Sequence, residues 1–168
     1  MLKFQKFYTE TRGRFYNFLV RLTGDSERAA DVFQDSYLRY WERYGRQEPN
    51  VRLLFTIGRN AVIDGCRRRG REQPIEEAHR DSAPDQESAL IVKESYRRVL
   101  AALRSLDPLE RELLSLAADG ELRYDDIAGI AGISPGNVKV KIHRARQKLR
   151  QFLQEDQHER APNQCVYR

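Results

Sequence analysis

The sequence predicts an all-α fold made of two small helical domains joined by a flexible linker. Three observations predict it. Apolar residues recur at three-and-four spacing through the first seventy or so residues and again from Val92 onward, as on helices with one buried face. No segment shows the strict apolar–polar alternation of a half-buried strand. Between the periodic regions, residues 70–88 (GREQPIEEAHRDSAPDQES) hold two prolines, many acids and almost no apolar side chains, which is linker composition. The expected boundaries are 1–70 for the first domain, 71–91 for the acidic linker, 92–154 for the second domain and 155–168 for a disordered tail.

In the first domain Phe4, Phe7, Tyr8, Thr11, Phe15, Phe18, Leu19 and Leu22 share one helix face, and Thr23-Gly24 ends that helix. Asp25 or Ser26 caps the next helix, whose inner face carries Ala29, Val32, Phe33, Ser36, Tyr37, Tyr40 and Trp41. A polar loop from Gly45 to Pro49 leads to a third helix over about Val51 to Arg69, with Leu54, Ile57, Ala61 and Ile63 or Asp64 near its inner face. Gly58 and Gly65 weaken this helix intrinsically, so packing has to support it.

The second domain opens with Val92, Tyr96, Val99, Leu100, Leu103 and Leu106 on one face. In Asp107-Pro108-Leu109-Glu110 the aspartate can cap, the proline suits the first helical position, and the glutamate stands where a capping box needs it. Leu109, Leu113, Leu116 and Ala117 follow, and Asp119-Gly120 closes that helix. A short helix around Tyr124–Ile130, a turn at Gly132 and a last helix from Ser134-Pro135 to about Leu153 complete the chain.

The 168 residues carry a net charge of +5, and its distribution is more telling than its size. Residues 1–72 hold 15 Lys+Arg against 9 Asp+Glu, residues 73–94 hold 2 against 6, and residues 95–168 hold 13 against 10. Two basic blocks thus flank an acidic segment, as expected of a chain with a polyanionic partner. The two cysteines, Cys66 and Cys165, have no metal-ligand spacing around them, so neither a disulfide framework nor a metal site is expected and a reducing cytoplasm is the simpler reading. The N-terminus lacks a signal-peptide core, and no stretch approaches the roughly 20 apolar residues of a membrane span. No membrane insertion is expected. His79, His143 and His158 are scattered, with no nucleophile–base pair and no phosphate loop, so neither an enzyme nor a cofactor is expected.

The most specific local signal is a helix-turn-helix over Tyr124–Lys139, which makes the second domain a helix-turn-helix domain. Ile127, Ala128, Ile133 and Val138 are spaced to form the small core between two helices at a steep angle, and Gly132 stands where the turn needs a left-handed residue. From Ile127 to Gln154 there is no acidic residue. Val138, Ile142, Ala145 and Leu149 form the buried stripe of the last helix, which leaves Asn137, Lys139, Val140, Lys141, His143 and Arg144 for DNA. Residues near the start of such a helix reach base edges in a major groove, and the other cations suit phosphates.

With these residues in view, the chain resembles the extracytoplasmic-function (ECF) sigma factors of the bacterial sigma-70 family, over about residues 5–153. Three blocks carry the resemblance. Ala30–Trp41 is similar to the family helix that docks on the beta-prime clamp of core RNA polymerase, where acid, glutamine and acid match Asp31, Gln34 and Asp35; positions i, i+3 and i+4 form one surface. Leu53–Asp64 with Cys66–Arg69 looks like the segment that reads and opens the minus-ten element. Leu53 and Thr56 stand where members often carry Trp and Arg. Asn60 matches a position lining the pocket for a flipped base, a task that suits an amide with both donor and acceptor. Arg59, Arg67, Arg68, Arg69 and Arg71 would hold the single strand's backbone, and the loop Arg46–Arg52 would help choose the base. The third block is the helix-turn-helix, similar to the domain that reads the minus-thirty-five element beside the beta flap. Members commonly cap its first helix with Ser or Thr; here the residue is Arg123, so a frayed start costing about 1 kcal/mol is expected.

The resemblance implies a sigma factor that binds core RNA polymerase and directs promoter-specific transcription initiation, with promoter DNA and an anti-sigma factor as further partners. The rival reading is a stand-alone dimeric helix-turn-helix regulator, with residues 1–90 as its dimerisation or sensing domain.

Overall fold

Local sequence chemistry sets where each helix starts and stops in the computed structural model, which describes residues 2–69 and 87–160. Helix α1 (Leu2–Thr23) ends at Gly24, whose φ of 70° is a left-handed conformation costly for a residue with a Cβ. Asp25 then caps α2 (Ser26–Tyr44): its Oδ1 accepts from the backbone N–H of Glu27 at 2.9 Å and of Arg28 at 3.3 Å. Asn50 caps α3 (Val51–Arg69) by accepting from Leu53 N–H at 3.1 Å, and the Asn50 N–H donates to the Tyr40 hydroxyl at 2.8 Å. That second bond fixes the α2–α3 loop to the aromatic core.

The second half comprises α4 (Glu87–Arg104), α5 (Pro108–Ala117), α6 (Tyr124–Ala131) and α7 (Pro135–Arg160). Asp107 caps α5 with Pro108 at its first position. Glu110 does not complete the expected capping box. Its buried carboxylate instead receives the Lys148 ammonium from α7, at 2.8 Å to each oxygen. Two expected boundaries also move. Helix α4 starts at Glu87, inside the segment expected to be linker. Helix α7 runs to Arg160, so residues 155–160 are helical and not tail; Glu155, Gln157, Glu159 and Arg160 are good helix formers. The rest of the expected linker and tail, with Arg71 and Cys165, lies outside the described residues.

In the first half α2 packs on both α1 and α3. Phe7, Phe15, Phe18, Phe55, Tyr37 and Tyr40 are all buried there, and their rings meet in edge-on, tilted and stacked pairs 5–6 Å apart. Within this core the Thr11 and Tyr37 hydroxyls lie 2.7 Å apart, and burial pushes the Tyr37 phenol up to about 12. Gly58 is required here, since a Cβ would strike the Phe15 ring. In the second half α7 packs on α4, α5 and α6.

The halves themselves meet, α1 against α5 and α3 against α6, and their buried apolar side chains form one contiguous cluster. Periodicity alone suggests two separate modules, because it marks which face of a helix is buried without marking what buries it.

Candidate nucleic-acid interface

The last helix is built as its pattern predicts. Val138, Ile142 and Ala145 are buried and Leu149 packs against them, while Ile127 and Ala128 fill the angle between α6 and α7. Gly132 takes φ 73° and closes the turn, donating its N–H to the Ala128 carbonyl at 2.8 Å. Arg123 precedes α6 with no side-chain cap, since a guanidinium has no acceptor to offer. The other half of the motif does form: the Asp126 carboxylate accepts from Arg123 N–H at 3.1 Å, so the expected fraying is offset. Of the residues predicted to face DNA, Asn137, Lys139, Val140, His143 and Arg144 are exposed and Lys141 is half-buried. Lys148 is withdrawn from this surface by its bond to Glu110.

The third helix is arranged differently. Asn60, Arg67 and Arg68 are exposed, but not on one face. Asn60 and Arg67, seven residues apart, share a face; Arg68 follows Ala61 and Asp64 around the helix and lines a cleft with Asp31, Val32, Asp35 and Arg39. Arg68 thus stands beside the acidic docking candidates, about a quarter-turn around the helix from Asn60. Arg59 is largely buried: its Nε donates to Glu112 Oε1 at 2.6 Å, its Nη2 reaches the Ala131 carbonyl at 3.5 Å, and its Nη1 reaches Asn60 Oδ1 at 3.3 Å. Burial raises the Glu112 carboxyl above its ordinary value, against the opposing hydrogen bond and charge of Arg59. Leu53 packs against the core, and the Thr56 hydroxyl donates to the Arg52 carbonyl at 2.8 Å, so both atypical residues serve the helix itself.

On α2, Asp31 and Gln34 are exposed, and Asp35 holds Arg39 one turn on at 2.8 Å. Such an exposed pair one turn apart contributes only about 0.3–0.5 kcal/mol, so a partner's arginine can displace Arg39. Gln34 lies over a second groove, of about 440 Å³, between α1 and α2 with Tyr8, Tyr16 and Phe33.

Three further arginines cross between the halves. Arg14 Nε lies 3.0 Å from Asp119 Oδ2 as an ion pair without hydrogen-bond alignment, and its guanidinium also meets Glu121. Arg21 donates to the Ser115 carbonyl at 3.2 Å, and Arg104 donates to the Gly24 carbonyl. These contacts are not predicted above, yet a signal for them exists. Arg14 lies in the stripe Thr11–Phe15–Phe18, Arg59 in Phe55–Gly58–Val62, and Glu112 in Leu109–Leu113–Leu116: each is a charge inside an apolar helix face.

Residues 7–72 match the protein family described as Sigma-70 region 2, and residues 96–149 the family described as Sigma-70, region 4. The chain is 30% identical over 162 residues to the RNA polymerase sigma factor CarQ of Myxococcus xanthus, a likeness that covers 90% of each. It is 34% identical to the ECF RNA polymerase sigma factor EcfG of Rhodopseudomonas palustris, over 83% of this chain and 78% of that one. Among solved structures, the sigma factor RpoE in complex with the anti-sigma factor NepR from Bartonella quintana matches with a TM-score of 0.75 at 26% identity, over 92% of this chain and 98% of that one. CnrH in complex with the cytosolic domain of CnrY shares the fold, with a TM-score of 0.67 at 22% identity, over 91% of this chain and 88% of that one.

Proposed function

The chain belongs to the sigma-70 family, as an ECF sigma factor, and on that premise we propose how its surfaces divide the work. A sigma factor binds core RNA polymerase and directs promoter-specific transcription initiation, and this chain does so as a member of the family. The family is one of binding factors and not of enzymes, so polymerase supplies the chemistry. In the proposed division, the first half (1–70) docks on the beta-prime clamp through Asp31, Gln34 and Asp35. The same half reads the minus-ten element with α3, where Asn60 takes an unpaired base and Arg59, Arg67 and Arg68 hold the strand. The second half (92–154) sits by the beta flap and lays α7 into the minus-thirty-five duplex through Asn137, Lys139, Val140, Lys141, His143 and Arg144.

The work is cytoplasmic in this reading; no helix among the described residues is long and apolar enough to cross a membrane. Because a relative of the same fold is solved with an anti-sigma factor, we assign a protein of that class as its inhibitor. The observation that carries the reading is one of order: the two sigma-70 regions match in sequence along the chain, the first on the half with the candidate docking acids and the second on the half whose last helix carries exposed cations and no acid from Pro135 to Gln154.

In vitro transcription with core polymerase, with and without the chain, tests it. Start-site selection that depends on the chain is expected. A chain that confers none, yet forms a two-fold dimer on duplex DNA, would instead be the stand-alone regulator.

A further inference from the structure

We propose that the packing of α3 against α6, with its Arg59 bridge to Glu112 on α5, is a self-closing latch in which Glu112 holds Arg59 in place of a DNA phosphate. The inference rests on the reading of Arg59 as a minus-ten contact. In the closed arrangement the Arg59 side chain is 20% exposed and that of Glu112 is 7% exposed, with Nε and Oε1 2.6 Å apart. Arg59 also reaches the Ala131 carbonyl at the end of α6 and the Asn60 amide oxygen, so the base-trapping candidate is engaged as well. A guanidinium presents the same fork to a carboxylate and to a phosphate. Glu112 therefore offers Arg59 what a nucleic-acid backbone offers it, and the two cannot be bound at once.

The chemistry of the seam suits a reversible contact. Besides its apolar contacts it is held by guanidinium groups: Arg59 on Glu112, Arg14 on Asp119 and Glu121, Arg21 on the Ser115 carbonyl and Arg104 on the Gly24 carbonyl. A buried ion pair contributes less net stability than well-packed apolar side chains would, because both charges lose water. Each guanidinium can exchange its partner for solvent or phosphate when the halves separate. Helix α7 keeps Asn137, Lys139, Val140, His143 and Arg144 exposed in the closed arrangement, so the latch governs the single-strand face and leaves the duplex face free.

The test uses the full chain with Cys66→Ser and Cys165→Ser and spin labels at Asn17→Cys on α1 and Gln147→Cys on α7, both exposed positions. Distances are measured in the free protein, and affinity is measured for a mixed-sequence single-stranded DNA oligonucleotide. The parent should give one narrow distance distribution. Glu112→Arg should broaden and lengthen it, and the exchanged pair Arg59→Glu with Glu112→Arg should restore it. Relative to Glu10→Arg, a charge-matched change on an exposed turn, Glu112→Arg should bind the oligonucleotide about threefold tighter or more, by the inverse of the open fraction. If Glu112→Arg does not fold by circular dichroism, Glu112→Gln replaces it, since it keeps the shape of the side chain and removes only the charge that holds Arg59. An unchanged distance distribution overturns the latch, and so does opening without a gain in single-strand affinity. The distances are read without polymerase or DNA, so they stand or fall independently of whether Arg59 contacts a promoter.

Discussion

Helices α3 and α7 both carry cations expected at DNA, and they hold them in opposite ways. Helix α7 buries a single stripe and leaves its other faces to solvent, so Lys139, His143 and Arg144 stand free on the surface. Helix α3 is packed by α1 and α2 on one side and by α6 on another, and Arg59 falls in the second seam. A duplex already offers its grooves, and the surface that reads it can be permanent. A single strand exists only after melting, and one of the cations proposed to hold it, Arg59, is covered in the closed arrangement while Asn60, Arg67 and Arg68 stay exposed.

The contrast can be broken first at α7. Ile142→Ala removes a fully buried side chain from the core of the helix-turn-helix, with an expected loss of about 2–5 kcal/mol. Thermal unfolding should report it, and binding to upstream duplex should fall with it. Asp35→Arg is expected to lower association with core polymerase at least tenfold, about 1.4 kcal/mol, while the closed arrangement and the circular dichroism spectrum stay unchanged, because only the exposed Arg39 pair is lost. Undiminished binding would remove Asp35 from the docking face. Lys141→Ala should lower the salt slope of duplex binding by about 0.9; an unchanged slope would mean that Lys141 touches no phosphate.

The smallest expected effect is one of pH. Burial raises both Glu112 and Asp119 in the closed arrangement. A carboxyl raised in one state contributes stability to that state below its ordinary range and loses it as pH rises through the raised value. Closure should therefore tighten slightly, and not loosen, as pH falls from neutrality toward the carboxylate range. The label distances described above can follow this, and opening on mild acidification would contradict the burial.

Much of this molecule is legible in the sequence because its causes are local. Asp25, one of two candidates, and Asp107 cap their helices, Gly24 and Gly132 take the left-handed turns, and Val138, Ile142 and Ala145 of the α7 stripe are buried at the predicted positions. Spacing along the chain is an incomplete guide where a local motif competes with a distant partner. Glu110 has the spacing of a capping box, but the Lys148 ammonium draws its carboxylate inward. Arg59 has the address of a DNA contact, but Glu112 holds it from 53 residues away. Arg68 shares a segment with Asn60, yet the helical rotation between them sets it beside Asp31 and Asp35.

The sequence by itself determined the helices, their caps, the turn of the reading motif and the two basic modules, because each follows from residues within one or two turns of each other. Only the tertiary structure decided that the modules close on one another and which charges meet at the seam. Periodicity reveals that a charge lies in an apolar stripe; its counter-charge is chosen through space, and no spacing along the chain encodes it.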